Sequence, residues 1–309
     1  MAAEPHPTPP VAVLLMAYGG PRNLDDVEPY LLDVRGGRPT TPELVAEIKS
    51  RYAEIGGRSP IRELTEAQAA GLRRELGERF AVYVGMRHWH PYIKDALERI
   101  VADGHTHVAG IVLAPHYSAM SVGAYEQKLL EAAGGRLELA LVRNWGDHPK
   151  FVEAVARRVT QALQRFPAPE QAQVIFTAHS LPQRILATGD PYPDQLRTSA
   201  AAVAQLAGLA EWRFAYQSAG ATSEPWLGPE AGALLTELAE RGDQNFLIVP
   251  IGFVCDHVEV LYDVDVVYRA LAARLGVRLE RTDSLNDDPL LVAALADIAR
   301  STAAERGWT

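Results

Sequence analysis

The sequence predicts an α/β protein built from two doubly wound domains, each a four-stranded parallel sheet flanked by helices. Three observations carry this. Short apolar runs rich in β-branched residues recur along the chain as near-continuous stretches, the pattern of strands buried on both faces. Segments with apolar residues at helical spacing lie between them, and such alternation implies parallel strands joined by crossover helices. At 309 residues the chain is long for one domain and suits two of roughly 150 each.

In chain order, the first strands are read at 11–18, 80–86, 108–114 and 137–142, and the first helices at 42–51, 67–76, 93–103 and 124–133. Pro91 stands just ahead of the third helix, where its missing N–H does no harm. The second set has strands at 174–178, 213–217, 246–253 and 277–281, separated by helices at 150–165, 193–206, 229–239 and 258–274. A last helix is read at 289–305. Residues 1–146 then form an N-terminal domain, 147–286 a C-terminal domain, and 287–309 a terminal helix expected to pack back on the first, with a hinge at 144–149. The halves share a pattern but no sequence repeat. Residues 4–10, with prolines at four positions, are expected to form a mobile tail.

Composition is that of an ordinary globular protein, with 48% hydrophobic and 22% charged residues. The 30 basic and 39 acidic residues give a net charge of −9, and no long Lys/Arg block offsets it, so a nucleic-acid surface is excluded. Any anionic ligand must be caught by local arginines. With Cys255 alone, the chain cannot build an internal disulfide, a Cys-based zinc site or a four-Cys iron–sulfur cluster, and a reducing cytoplasm fits. Residues 1–10 carry no basic leader, and no segment approaches the roughly 20 apolar residues of a spanning helix, so no membrane span is expected.

His179 closes the run Val174-Ile175-Phe176-Thr177-Ala178 and precedes Ser180-Leu181-Pro182. This puts an imidazole at the carboxyl end of a buried strand, where open α/β sheets hold ligands. A lone histidine there is often only a hydrogen-bonded structural residue, yet a polar cluster stopped by proline is poor core material. The run 246–253 leads into Asp256-His257-Val258-Glu259-Val260-Leu261-Tyr262-Asp263. On a helix, Glu259 and Asp263 share one face. A solvated face is one reading. The surrounding Phe253, Val254, Val258, Val260, Leu261 and Val264 point to a site instead, because carboxylates among apolar groups are costly to keep.

Other motifs are weaker. Gly19-Gly20-Pro21 is no G-x-G-x-x-G, and no acidic residue ends a matching second strand, so dinucleotide binding is rejected. The stretch from Arg51 to Pro60 joins two arginines, a glycine pair and Ser59, which can cap the next helix, and as a loop it can bind a carboxylate. His88 and His90 are two apart: either metal ligands sharing a face or, the favoured reading, a surface pair at a strand end. Ser180 raises acyl transfer, but the chain has no G-x-S-x-G elbow.

These motifs together resemble the ferrochelatases, enzymes that insert Fe²⁺ into a porphyrin, and most closely the bacterial coproporphyrin III ferrochelatases. The resemblance spans nearly the whole chain. It rests on Ala17-Tyr18-Gly19-Gly20-Pro21, Ile55-Gly56-Gly57-Arg58-Ser59-Pro60, Ala114-Pro115-His116-Tyr117-Ser118, Ala178-His179-Ser180-Leu181-Pro182, Gln217-Ser218-Ala219-Gly220 with Pro225-Trp226-Leu227-Gly228-Pro229, and Gly252-Phe253-Val254-Cys255-Asp256-His257-Val258-Glu259. It implies two Rossmann-like, chelatase-like domains with a porphyrin cleft between them.

Metallating a porphyrin requires removal of two pyrrole protons and exposure of nitrogen lone pairs. By resemblance His179 and Glu259 are the catalytic residues. Neutral imidazole can accept a proton or bind incoming metal, and Glu259 can take up the other proton or stabilise the cation. Fe²⁺ accepts such nitrogen and oxygen donors, so His179, Glu259 and Asp263 are the expected metal residues, with iron a substrate and no cofactor tightly bound. Many members carry another carboxylate one turn beyond Asp263, where this chain has Val267, and Asp265 faces elsewhere.

Tyr18 stands where coproporphyrin enzymes carry tyrosine and protoporphyrin enzymes an apolar residue. By the same resemblance Arg35, Arg51, Ser59 and Tyr125 are the propionate partners, the arginines through bidentate bonds. The product is then coproheme. The resemblance also implies a monomer without the Cys-bearing extension and membrane lip of animal enzymes, handing product transiently to the next enzyme of haem synthesis. A protoporphyrin IX ferrochelatase is the nearest alternative. A cobalt chelatase would present more histidines, and a non-catalytic haem or metal-binding protein of the same fold would have no use for a base.

Overall fold

The computed structural model describes residues 10–220 and 222–308. The tail expected at 4–10 lies, Pro10 aside, outside them. Strands β1 (Val11–Ala17), β2 (Phe80–Met86), β3 (His107–Val112) and β4 (Glu138–Val142) form a parallel sheet in the order β2-β1-β3-β4. Strands β5 (Gln173–His179), β6 (Arg213–Gln217), β7 (Asn245–Val249) and β8 (Arg278–Arg281) form a second parallel sheet in the order β6-β5-β7-β8. The two orders are the same topology read twice. All seven residues of β1 are buried, because helices cover both faces of its sheet.

Helices α1 (Val27–Val34), α2 (Pro42–Glu54), α3 (Ile61–Leu76), α4 (Ile93–Ala102) and α5 (Val122–Ala133) belong to the first half. Helices α6 (Pro149–Leu163), α7 (Arg184–Ala187), α8 (Tyr192–Leu206), α9 (Ala231–Glu240), α10 (Val258–Leu261) and α11 (Arg269–Leu275) belong to the second. Among the described residues, no helix is long and apolar enough to cross a membrane. The last helix, α12 (Pro289–Glu305), packs against both α3 and α6. Gly71 allows the close approach to α3, since a Cβ there would lie 2.9 Å from Val292 Cγ2. Asp288 caps α12 by accepting from Leu290 N at 2.9 Å and takes Arg158 of α6 as an ion-pair partner at 3.0 Å.

Four departures from the sequence reading have local causes. Helix α1 was not foreseen, because only Val27 and Tyr30 of its eight residues are buried and no apolar stripe shows. The strand expected over 246–253 stops at Val249, because Pro250 has no N–H for a ladder and the chain folds back under β5. There Gly252 N donates to Thr177 O at 3.2 Å. The helix expected over 258–274 is broken into α10, a wide π-helical segment at Asp263–Tyr268, and α11. The segment 144–149, read as a hinge, is packed: Trp145 is buried and its indole donates to Val112 O at 2.9 Å.

Strand order reverses between β1 and β3 in one sheet and between β5 and β7 in the other. Crevices open at such switch points beyond the carboxyl ends of the strands. Here the two crevices share one cavity of about 310 Å³, lined from one side by Tyr18, Arg87 and Tyr125 and from the other by His179, His257 and Glu259.

Candidate active site

His179 ends β5, and its imidazole Nδ1 lies 3.0 Å from Glu259 Oε2 at the start of α10. About a third of each side chain is open to the cleft, 34% and 32%. Burial opposes ionisation of Glu259, but the imidazoles of His179 and His257 outweigh it and hold the carboxyl well below its usual range. Burial likewise disfavours the imidazolium of His179, yet the Glu259 carboxylate raises its pKa above the ordinary value, with Asp263 adding to the effect. An ionised carboxylate can only accept, so Nδ1 carries the proton and the lone pair of the neutral ring sits on Nε2. The pair is a base of one nitrogen and one oxygen face, both at the cleft wall.

The pair is held from behind. Gln217 at the end of β6 donates through Nε2 to Glu259 O at 2.7 Å and accepts from Thr177 Oγ1 at 2.8 Å. Tyr192 donates its phenol to His179 O at 3.0 Å. Asp263 is not drawn into the pair: Ser218, held at φ 59°, donates to Asp263 Oδ2. Burial raises the Asp263 pKa against the opposing Ser218 bond. Among the described residues, no three His, Cys, Asp or Glu side chains gather as a preformed metal site. One imidazole and one carboxylate alone offer a divalent ion only a partial coordination shell.

Across the cleft Tyr18 is 39% exposed and lines the cavity, its ring 4.7 Å from that of His88 and 5.8 Å from the Arg87 guanidinium. Burial pushes the phenol up to about 12, against the pull of Arg87. Ser59 and Tyr125 also line the cavity and are buried. Arg35 and Arg51 do not line it. Arg51 pairs with Glu47 and lies 5.4 Å from the Tyr262 ring, while Arg35 ends α1 with a buried, unpartnered Nε.

His88 corrects the surface-pair reading: it is 6% exposed and bonded through Nδ1 to Asp33 at 2.7 Å, whereas His90 is exposed. Burial lowers its pKa to about 4 despite Asp33. Arg87, not singled out from the sequence, stands over both Tyr18 and Tyr125 with Nε buried and unpartnered. Its place just past β2, among His and Trp residues, was the available signal.

The model of the Ferrochelatase family matches residues 10–303. A ferrochelatase of Herpetosiphon aurantiacus is 47% identical over 296 residues, covering 93% of this chain and 97% of that protein. A coproporphyrin III ferrochelatase of Geobacillus kaustophilus is 41% identical over 305 residues, covering 96% of each. Among solved structures, SirB from Bacillus subtilis with Fe³⁺ shares the fold at a TM-score of 0.60 and 16% identity, covering 96% of this chain and 97% of that one. A family match over nearly the whole chain, with near-full-length relatives above 40% identity, shows that the chain belongs to the ferrochelatases, enzymes that insert iron into porphyrin.

Proposed function

We propose that this ferrochelatase takes coproporphyrin III and Fe²⁺ and yields coproheme with release of two protons. The observation that carries the mechanism is the His179–Glu259 pair, 3.0 Å apart and facing Tyr18 across the cleft. A pyrrole N–H gives its proton to the Nε2 lone pair of His179, and Glu259 takes the second or stabilises the imidazolium that forms. The same two donors hold Fe²⁺ transiently before it passes to the porphyrin nitrogens. Asp263, whose pKa burial raises, relays protons or metal from the π-helical segment.

Tyr18 in the cleft supports coproporphyrin as substrate, as do relatives at 41% identity that carry this activity in their names. Ser59 and Tyr125 meet propionates at the cavity wall, and Arg35 and Arg51 meet those that extend beyond it. One observation favours protoporphyrin IX instead, namely that neither arginine lines the cavity. Anaerobic metallation of each porphyrin with Fe²⁺, followed by absorbance, separates the two. Faster turnover of coproporphyrin III is the expected result. Preference for protoporphyrin IX overturns the substrate, and no turnover of either overturns the reading.

A further inference from the structure

Behind the cleft, the loop from β3 to α5 in the first half lies on the start of α8 in the second, joined by buried polar side chains. Asp190 is central. Its Oδ2 accepts from Ser118 Oγ at 2.9 Å and from Ala119 N at 2.8 Å, both in the first half. Its Oδ1 accepts from Tyr192 N at 3.1 Å, and the Tyr192 phenol donates to His179 O at 3.0 Å. Two further bonds run alongside: Tyr117 N donates to Gln195 Oε1 at 2.7 Å, and His116 Nε2 meets Ser199 Oγ at 2.9 Å. Ser199 donates to Gly146 O at 2.7 Å, so it accepts from His116 Nε2–H, and burial keeps that ring neutral by lowering its pKa to about 3.

We infer that Asp190 is a positioning residue: it ties the wall carrying His179 to the wall carrying Tyr125, and so sets their separation. It does not line the cavity and touches no substrate. Its neighbours on either side do the transmitting. Ser118 and Ala119 lead directly into Met120, Ser121 and α5, where Tyr125 faces the cleft. Tyr192 leads back to the backbone of His179. Ser118, Asp190, Tyr192, His116 and Ser199 are buried, so the bond between the Ser118 and Asp190 side chains meets little competition from water. A small shift of either wall matters because displacement of a reacting group by about 1 Å can cost on the order of 100-fold in rate.

The inference rests on metal insertion as the activity, and its test has one arm that does not. Removing Asp190 outright risks unfolding, so the two links are cut singly and together in the full chain: Ser118→Ala, Tyr192→Phe and the double variant. Ser118 and His179 share no bond, so a purely local role for Ser118 leaves the tip of β5 unchanged. The expected result in Ser118→Ala is faster hydrogen exchange of the Ser180 amide, which in the native protein donates to Gln217 O at 2.8 Å. In kinetics, each single variant is expected to lower kcat roughly tenfold with porphyrin KM within about twofold, and the double variant to lose clearly less than the product. Unchanged exchange at Ser180 overturns the inference, as do additive kcat losses or losses confined to KM. A wild-type protein that metallates nothing sinks the functional reading instead, and the exchange measurement then decides this one alone.

Discussion

Gln217 Nε2 donates to Glu259 O at 2.7 Å, so the last residue of one strand fixes the backbone of a carboxylate carried on another element. The amide is fully buried and also accepts from Thr177. Gln217→Leu leaves both partners without a bond in the interior, at a cost of about 1–3 kcal/mol for the unsatisfied groups. Urea denaturation checks the stability loss, and a fall in metallation rate larger than the loss of folded protein checks that Glu259 has moved.

The His179–Glu259 pair makes stability depend on pH in a defined direction. The pKa of His179 is raised by folding, so its contribution is present below about 6.5, the unfolded value, and is lost as pH rises through the folded one. The pKa of Glu259 is depressed, so its contribution is present above about 4.3 and is lost as pH falls through the folded value. The pair therefore contributes most between those two limits. In Glu259→Gln the main charge that supports the imidazolium is gone, and burial is opposed only by the smaller effect of Asp263. Imidazole NMR is expected to show His179 titrating below its ordinary value in that variant and above it in the wild type.

His179→Ala and Glu259→Gln are each expected to lower kcat for iron insertion by about 100-fold or more, the lower end of what a positioned proton acceptor supplies. Porphyrin affinity, followed by fluorescence quenching, should hold within a few-fold, because Tyr18, Ser59 and Tyr125 remain in place. An equal collapse of binding and rate would show that the pair grips the porphyrin more than it moves protons.

Gly252→Ala is expected to destabilise by about 1–3 kcal/mol, the usual range for overpacking. Its Cβ would stand 2.6 Å from Ala178 Cβ and 3.0 Å from Ala178 Cα, and neither atom can swing aside. The clash falls one residue before His179, so a thermal melt and a rate measurement on the same sample should both move.

Arg281 of β8 reaches Asp265 in the π-helical segment with two bonds, 3.0 and 2.7 Å, and Asp256 at 3.4 Å. The guanidinium is nearly buried, with 12% of the side chain exposed. Arg281→Met removes the cation shared by the two carboxylates, but Asp265 keeps Arg269 at 3.3 Å and Asp256 keeps bonds from Ser284 and Asn286, so a loss of about 1–3 kcal/mol is expected in urea denaturation. Arg157→Ala, which removes an exposed pair with Glu153, is the control and should leave the midpoint unchanged.

Strands were legible where burial on both faces forces a continuous apolar run, as in β1, and His179 could be placed because β5 ends at it. The sequence separation of 80 between His179 and Glu259 was bridged by the rule that ligands gather at switch points. The π-helical segment was invisible, because the apolar residues after Glu259 satisfy an ordinary helical period equally well. Within it Asp265 pairs with Arg281, and that partnership links two elements whose spacing carries no pattern. Arg87 and Gln217 escaped for a similar reason. Each works through a neighbour brought by another strand, and a one-dimensional reading sees only the residue itself.

The packing of α12 on α3 has a consequence for how the chain comes to be folded. Arg300 donates to Glu75 O across 225 residues of sequence. Closing so long a loop is slow, and contacts of this span are typically late to form. During synthesis the first sheet can assemble while α3 still presents the apolar face that α12 will cover. That face stays open to solvent until residues 289–305 have left the ribosome, which makes the nascent first half the stage at which this protein most needs shielding from aggregation.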